Sequence, residues 1–424
     1  VYAEQLVAAV KRGDVAVATI DKAVRRILSL KFQMGLFDDP FVDEKQAVQL
    51  VASSEHTGLA REVARQSIVL LKNKDKLLPL KKDIRTLAVI GPNADNVYNM
   101  LGDYTAPQAD GTVVTVLDGI RQKVSKETRV LYAKGCAVRD SSRTGFKDAI
   151  ETARNADAVV MVMGGSSARD FSSEYEETGA AKVTINQISD MESGEGYDRA
   201  TLHLMGRQLE LLEEISRLGK PVVLVLIKGR PLLMEGAIQE AEAIVDAWYP
   251  GMQGGNAVAD VLFGDYNPAG RLTLSVPRSV GQLPVYYNTR RKGNRSRYVE
   301  EPGTPRYPFG YGLSYTTFSY TDMKVQVTEG SDDCRVDVTV TIQNQGTADG
   351  DEVAQLYFRD DVSSFTTPAK QLRAFSRIHL KAAESREVTF TLDKKSLALY
   401  MQEGEWVVEP GRFTITVSYT HLTL

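Results

Sequence analysis

The sequence has few of the residues that carry metal, redox or disulfide chemistry. Its 424 residues include two cysteines, four histidines and two tryptophans. Cys136 and Cys334 lie far apart, and the histidines form neither an HExxH motif nor any other paired spacing. No apolar run approaches the roughly 18 residues that a membrane-spanning helix needs. These absences argue against a disulfide scaffold, a metal centre and a membrane span, and they leave the redox compartment open.

Net charge and phosphate-binding motifs are also scarce. Lys and Arg number 51 against 55 Asp and Glu, which gives a net charge of −4 and no reason to expect a polyanionic partner. The sequence contains neither a GxxxxGK[ST] phosphate loop nor a GxSxG nucleophile elbow. The stretch IGPNAD (90–95) lacks the further glycines of a dinucleotide fingerprint. We therefore expect no nucleic acid, no nucleotide cofactor and no phosphate-loop chemistry.

The N-terminal part of the chain has the pattern of amphipathic helices. Apolar residues recur at helical spacing from Thr19, and Gly35 stands where a C-cap glycine belongs. A second helix is predicted over about residues 54–73. The chain starts at Val1 without the basic start and apolar core of a secretion signal, and it stops at SYTHLTL within a predicted strand. We expect both ends to be cut.

Two structural regions follow, and they differ in periodicity. Apolar runs alternate with helical patterns in the first region, which is typical of a parallel sheet between helix layers. We place this α/β domain at about 51–283, with one of its helices starting near Ala200, and a connector rich in Tyr, Pro and Gly at 284–319. Residues 320–424 alternate apolar and polar residues over about seven short strands, which predicts an immunoglobulin-like β-sandwich. The five apolar runs lie at 86–91, 129–133, 158–164, 221–227 and 243–249.

A long acidic loop is the candidate functional segment. It lies between Gly164 and Ala200, beyond the end of a predicted parallel strand, where ligands collect in such sheets. Glu195 stands between two glycines, which allow a close backbone approach to a ligand, and a carboxyl group of this kind can serve as a general acid. Solvation of an acidic surface loop explains the same composition, and Asp198 and Arg199 also fit an ion pair at a helix start. The loop carboxylates are Asp170, Glu174, Glu176, Glu177, Asp190, Glu192, Glu195 and Asp198.

Several long stretches resemble one enzyme family. LLKNKDKLLPL, AVIGPNAD, SGEGYDRATLHL, YPGMQGGNAVADVLFGDYNPAGRLTLSVP and YPFGYGLSYTTF occur in this order. Together they resemble the second half of glycoside hydrolase family 3 enzymes. GTADGDEVAQLYFRD, PAKQLRAFSRIHL and WVVEPGRFTITV are similar to that family's C-terminal fibronectin type III-like domain. The resemblance covers nearly the whole chain.

The resemblance implies how catalysis is divided between domains. Members are retaining β-glycosidases with an N-terminal (β/α)₈-type barrel that carries an Asp nucleophile, followed by an α/β sandwich that supplies the acid/base Glu. Residues 1–50 would be the last helix of the barrel plus a linker, because a barrel alone needs about 250 residues. The motif SGEGYDR then assigns the acid/base role to Glu195, with Glu192 as the runner-up. No cofactor or metal is implied, and no catalytic residue is expected in 320–424.

The resemblance also implies a reaction and a class of substrate. The Asp nucleophile would attack the anomeric carbon while Glu195 protonates the leaving oxygen, and Glu195 would then activate water. Terminal non-reducing β-linked glucose, or xylose, of plant-derived oligosaccharides is the expected substrate, in a periplasmic or secreted enzyme, and the chain alone is expected to be inactive. The alternative is a non-catalytic carbohydrate-binding or assembly module. Against it, Trp248 and Trp406 are expected to pack internally rather than to stack on sugars.

Overall fold

The computed structural model describes residues 2–168, 190–290, 298–329, 334–401, 404–418 and 422–423. The chain divides into two compact units, Val1–His56 and Thr57–Leu424. No helix within the described ranges is both long and apolar enough to cross a membrane.

The first unit contains several helices where the sequence predicted one. They are α1 (Tyr2–Arg12), α2 (Val17–Gln33) and α3 (Glu44–Leu50). Gly13 separates α1 from α2 because it adopts φ +80, a left-handed conformation that ends a helix. The helix predicted from Thr19 corresponds to α2, and the structure describes all of α2 without a buried residue. Ile27 and Phe32 on this helix are 61% and 66% exposed.

The prediction of one helix over residues 54–73 was wrong at its C-terminal end. Helix α4 (Ser54–Ser67) stops, and Val69–Asn73 form strand β1. Val69, Leu70 and Leu71 are buried, and β1 pairs antiparallel with the strand β6 defined below. A continuously apolar run is typical of a strand that is buried on both faces, and burial overrides the helical spacing that precedes it.

Six strands form the central sheet in the described part of the second unit. The five predicted parallel strands are confirmed, and antiparallel β1 at one edge makes the sheet mixed. The sheet order is β1-β6-β5-β4-β2-β3. The strands that follow β1 are β2 (Thr86–Ile90), β3 (Arg129–Ala133), β4 (Ala158–Gly164), β5 (Val222–Ile227) and β6 (Ala243–Trp248). Chain order reverses between β2 and β4, which opens a crevice at their carboxyl ends.

Helices cover both faces of this sheet, and each face has its own apolar core. They are α5 (Val116–Lys123), α6 (Phe146–Arg154), α7 (Gln208–Ser216), α8 (Glu235–Glu240) and α9 (Gly254–Leu262). One core includes Val160 and Val225, and the other includes Met161 and Leu224, as alternation along buried strands requires. The helix predicted from about Ala200 begins only at Gln208. Gly206 adopts φ +61 immediately before α7 and prevents the helix from starting earlier.

The C-terminal region is a two-layer β-sandwich. Its strands are β7 (Phe318–Glu329), β8 (Cys334–Asn344), β9 (Gly350–Asp360), β10 (Gln371–Leu380), β11 (Ser385–Leu392), β12 (Leu399–Tyr400), β13 (Trp406–Val407), β14 (Phe413–Val417) and β15 (Leu422–Thr423), with a short helix α10 (Lys394–Leu397). In the described residues, one sheet has the order β10-β9-β14-β15 and the other β11-β8-β7. β12 and β13 form a separate hairpin. The predicted all-β sandwich is thus confirmed.

The sandwich is attached to the α/β domain by polar contacts within the second unit. Arg271 donates from Nη2 to the Glu352 carboxylate at 2.7 Å, and both side chains are almost buried. Within the sandwich, Tyr320 on β7 holds the same carboxylate by donating its hydroxyl proton to Glu352 at 2.6 Å. Asn267 donates from Nδ2 to the Asp349 carbonyl oxygen at 2.9 Å. Such partly buried contacts hold the two domains in a defined arrangement.

Candidate active site

The acidic loop leaves the sheet at the point where the chain order reverses. It follows β4, and the loop that follows β2 lies on the other side of the same crevice. The structure describes the acidic loop up to 168 and again from Asp190. Four of its carboxylates, Asp170, Glu174, Glu176 and Glu177, therefore lie outside the described residues.

Glu195 occupies the exposed apex of the described segment. Gly194 and Gly196 on either side adopt φ +110 and +83, conformations that side-chain-bearing residues rarely take. The Tyr104 hydroxyl donates a hydrogen bond to Glu195 Oε2. The Glu195 backbone N–H lies 3.4 Å from Asp103 Oδ2, which accepts a long hydrogen bond. The carboxylate therefore faces solvent while two residues that follow β2 hold it from one side.

Glu192 has the opposite environment. It is 2% exposed, and its Oε2 lies 2.6 Å from Arg199 Nη1 and 3.9 Å from Arg230 Nε. Its other oxygen lies against the backbone of Gly165, where an added Cβ would approach Oε1 to 2.0 Å. The Glu192 carboxylate is thus shielded from solvent and paired with arginines. The geometry therefore distinguishes the two candidate glutamates.

The expected Asp198–Arg199 ion pair at a helix start does not form. Arg199 is directed inward to Glu192, and residues 198–203 are not helical, because α7 begins only at Gln208. Arg199 also donates from Nη2 to the His203 carbonyl oxygen at 2.5 Å. Sequence spacing alone favoured the neighbouring aspartate, whereas the folded loop brings a carboxylate seven positions away into contact.

Further hydrogen bonds attach the start of this segment to the domain. The Ser166 carbonyl oxygen accepts from the backbone N–H groups of Glu192 and Ser193, at 2.8 and 3.2 Å. Arg139 donates from Nη1 to the Met191 carbonyl oxygen at 2.8 Å. The hydroxyls of Ser193 and Tyr249 lie 3.0 Å apart. The loop is therefore tied to β4 and to the segment after β6 immediately before Glu195.

Sequence reasoning missed the residues that hold the two glutamates. Asp103 and Tyr104 follow β2, and Arg230 follows β5, far from the acidic loop in the chain. Strand order was the available signal, because loops after adjacent parallel strands meet at one sheet edge. Tyr104 also has a backbone φ of +57, an uncommon conformation for a side-chain-bearing residue and one that is often found at functional sites.

The exposed carboxyl group defines what the site can do. A single solvent-facing Glu beside a phenol can donate and accept a proton, which is general acid–base chemistry. The described residues contain no group of three or more His, Cys, Asp and Glu side chains arranged to hold a metal ion.

The two tryptophans have different environments. Trp248 ends β6 and packs in a core, with Lys228 Nζ 3.8 Å from its ring centroid and a buried Lys228–Asp246 ion pair beside it. The expectation that Trp406 packs internally was wrong. It is 56% exposed on β13, with its ring centroid 5.2 Å from that of Tyr400, which is 63% exposed. Among the described residues, β12 and β13 pair only with each other, and Tyr400 and Trp406 are exposed on this hairpin.

A cavity of about 450 Å³ lies between the α/β domain and the β-sandwich. Trp248, Phe309 and Phe375 contribute most of its aromatic surface. The two arginines in its wall, Arg271 and Arg377, already pair with carboxylates of the sandwich. The cavity is therefore an apolar gap in the domain junction, without the convergent acid–base groups of the Glu195 region.

Residues 68–315 match the glycosyl hydrolase family 3 C-terminal domain, and residues 352–419 match the fibronectin type III-like domain. The chain belongs to glycosyl hydrolase family 3. The family and fold expected from the sequence are thereby confirmed.

Individual relatives are similar over nearly all of this chain. A periplasmic β-glucosidase of Salmonella typhimurium is 38% identical over 98% of the chain, and a β-xylosidase of Formosa agariphila is 42% identical over 94%. A solved β-glucosidase structure from Erythrobacter marinus superposes with a TM-score of 0.85 at 36% identity over 97% of the chain. A Listeria innocua β-glucosidase in complex with glucose gives 0.82 at 32% identity and the same coverage.

The chain spans about half the length of these relatives. It covers 56% of the Salmonella protein and 53% of the Formosa protein. It covers 55% and 54% of the two solved structures. The similarity thus concerns two domains of larger enzymes.

Proposed function

We propose that this chain supplies the general acid/base half of a retaining, exo-acting β-glycosidase. Glu195 protonates the glycosidic oxygen in the first step, and in the second step its carboxylate takes a proton from the water that releases the sugar. The observation that carries this proposal is the contrast between the two glutamates. Glu195 is exposed between positive-φ glycines, whereas Glu192 is buried against Arg199.

The nucleophile belongs to a domain outside this chain. Retention requires two carboxyl groups about 5–5.5 Å apart, one on either side of the scissile bond. An Asp on an N-terminal barrel that packs near the Glu195 apex would complete the pair. The apolar side chains of α2 support a neighbouring domain, because Val24, Ile27 and Phe32 are 46–66% exposed and would gain from burial against it.

The substrate proposed is a terminal, non-reducing β-linked glucose, or xylose, of a plant-derived oligosaccharide. The printed names of the relatives include β-glucosidases and β-xylosidases, which supports both sugars. Most contacts to the sugar would come from the N-terminal domain outside this chain. The residues of this chain therefore do not distinguish glucose from xylose. A periplasmic or secreted location is proposed with it, supported by the Salmonella relative named as periplasmic.

The test compares the 424-residue chain with the same gene expressed together with its upstream coding sequence. We expect no turnover of p-nitrophenyl β-glucoside or β-xyloside by the chain alone. The extended protein should hydrolyse one or both, and proton NMR should show the β-anomer of the sugar as the first product. Turnover by the chain alone, or an α-anomer as first product, would contradict the proposal.

A second candidate function concerns the C-terminal sandwich. The exposed Tyr400–Trp406 pair favours a carbohydrate-binding contribution, because aromatic faces can stack on pyranose rings. The binding of the chain to insoluble cellulose or xylan should then fall several-fold in Trp406→Ala. Phe375→Ala is the matched control, because Phe375 is 69% exposed on a different strand, β10. Equal binding by wild type, Trp406→Ala and Phe375→Ala would contradict a carbohydrate-binding role of the sandwich.

A further inference from the structure

Glu192 and Arg199 form an ion pair inside the loop that presents Glu195. The two side chains are 1% and 7% exposed, and their atoms approach to 2.6 Å. Removing one partner of a buried ion pair leaves the other charge without compensation, so the pair constrains the loop strongly. The pair spans the positions on either side of Glu195, which makes Glu195 the apex of a closed loop.

Arg230 attaches this closed loop to the sheet. Its Nη2 donates to the Tyr197 carbonyl oxygen at 3.2 Å, and its Nε lies 3.9 Å from Glu192 Oε2. Arg230 follows β5, a central strand whose residues are fully buried. A rigid strand end therefore contacts the loop on the C-terminal side of Glu195, while Ser166 holds it on the N-terminal side through Glu192.

The flanking glycines make such a restraint necessary. Gly194 and Gly196 have more backbone freedom than any other residue type, so an unrestrained apex would sample many conformations. Proton transfer requires hydrogen-bond distance to the leaving oxygen, and a displacement of about 1 Å can reduce the rate about a hundredfold.

We propose that Glu192, Arg199 and Arg230 are positioning residues that hold the acid/base carboxyl group of Glu195 in its reactive place. They touch neither substrate nor the reacting atoms. The proposal rests on the proposed function only for what Glu195 does; the restraint itself is a property of this chain and can be measured without turnover.

The first test measures backbone amide exchange in the 424-residue chain by mass spectrometry. In Glu192→Gln, amides of the 190–199 segment should exchange at least about tenfold faster, because local opening no longer breaks a buried ion pair. The β4 and β5 amides should be unchanged, which verifies folding. Glu210→Gln is the matched control, since Glu210 pairs with Arg207 at the surface. Arg230→Gln should also accelerate amide exchange in the 190–199 segment. Because the Arg230 side chain is partly exposed, this variant provides the test if Glu192→Gln does not fold.

The second test measures turnover in the protein expressed with its upstream coding sequence. Glu192→Gln should lower kcat about tenfold or more with little change in KM. Because a misplaced Glu195 protonates the leaving oxygen less well, the loss should be larger for an alkyl than for a dinitrophenyl leaving group. Azide should not restore activity, because the Glu195 carboxylate is still present. If Glu192 itself donated the proton, azide would restore the activity of Glu192→Gln, and this result separates the two roles.

The possible outcomes separate the two proposals. Unchanged amide exchange in Glu192→Gln and Arg230→Gln overturns the positioning role. Azide rescue of Glu192→Gln overturns it as well and makes Glu192 the acid/base. Faster amide exchange in Glu192→Gln supports the positioning role. If Glu195→Ala is nevertheless fully active, the proposed function is contradicted while the positioning of the loop stands.

Discussion

At the scale of single residues, charge pairing determines which carboxylates are structural. Asp260 is 1% exposed and accepts two hydrogen bonds from Arg61, at 2.6 and 2.7 Å, and one from Lys123 at 2.5 Å. Burial alone would raise the pKa of Asp260, but the hydrogen bonds from Arg61 and Lys123 outweigh it and lower the pKa below its ordinary value. Glu195, by contrast, is exposed and accepts a hydrogen bond from the Tyr104 hydroxyl.

We expect Asp260→Asn to destabilise the protein by about 1–3 kcal/mol at pH 7, because Arg61 and Lys123, whose side chains are 36% and 16% exposed, lose a charged hydrogen-bond acceptor. A carboxylate with a lowered pKa stabilises the fold above its unfolded pKa of about 3.9 and loses this effect as pH falls through the folded pKa. The difference from wild type should therefore shrink below about pH 4.

Urea unfolding at pH 7 and at pH 3 measures this difference. Glu213→Gln is the control, since its partner Arg217 is 63% exposed and the pair should contribute less than about 1 kcal/mol. The same destabilisation by Asp260→Asn at both pH values would contradict a lowered pKa of Asp260 in the folded protein.

The sequence predicted individual residues only where a short motif determines them. Glu195 could be chosen because two glycines flank it in SGEGYDR. The partner of Arg199 could not be predicted, because it depends on how the whole loop closes. The same holds for Tyr104, which reaches Glu195 from the other side of the crevice.

At the scale of helices and strands, close backbone contacts fix the packing. Helices α5 and α9 cross where both carry glycine. A Cβ on Gly119 would lie 2.1 Å from the Gly255 carbonyl oxygen. A Cβ on Gly255 would lie 1.9 Å from the Thr115 carbonyl oxygen. The two helices can approach this closely only because neither residue has a side chain.

We therefore expect Gly119→Ala to destabilise the protein by about 1–3 kcal/mol or more, because α5 must move away from α9. Gly58→Ala is the matched control in α4, since the described residues place no heavy atom within 4 Å of its added Cβ. That change should stabilise the helix by up to about 1 kcal/mol. Thermal unfolding of both variants measures the contrast, and equal midpoints would show that the crossing is not tight.

Elements were predictable where one physical signal dominated. All five parallel strands are present, and β2, β4, β5 and β6 are buried along nearly their whole length. The edge strand β3 is buried only in part, because Arg129 and Tyr132 are exposed. Strand β1 was missed because its apolar run directly follows a helical pattern, and only pairing with β6 identifies it. The start of α7 was misplaced because the effect of Gly206 depends on a backbone conformation that the sequence does not specify.

At the scale of the whole molecule, the β-sandwich and the α/β domain share a polar junction. The Glu352 carboxylate on β9 accepts a hydrogen bond from Arg271 of the α/β domain at 2.7 Å. It accepts another from the hydroxyl of Tyr320, within the sandwich, at 2.6 Å. The Glu352 side chain is 8% exposed and that of Arg271 is 12% exposed. A charge pair that is this buried links the stability of one domain to that of the other.

We expect Glu352→Ala to separate the unfolding of the two domains. Arg271 would be left buried without its partner, so the calorimetric transition should broaden or divide into two. Arg386→Gln is the control, because it removes an ion pair from a surface strand of the sandwich, where Arg386 is 48% exposed. A single transition of unchanged width in Glu352→Ala would mean that the junction does not couple the domains.

The family assignment at this scale was accessible from the sequence, whereas the division of catalysis between this chain and an N-terminal domain is a proposal. The family matches account for the α/β domain and the sandwich, and the relatives are about twice as long. The boundaries of 1–50, 51–283, 284–319 and 320–424 remain a proposal for how the chain divides into domains.

The central claim is that Glu195 is the acid/base of the assembled glycosidase, and one measurement tests it most directly. Turnover of an alkyl and of a dinitrophenyl β-glycoside should be compared for wild type and Glu195→Ala in the protein expressed with its upstream coding sequence. We predict a loss of about 10²–10⁴ for the alkyl glycoside, a smaller loss for the dinitrophenyl glycoside, and rescue by azide with formation of the β-glycosyl azide. Equal and small losses for both substrates, without a glycosyl azide product, would contradict the claim.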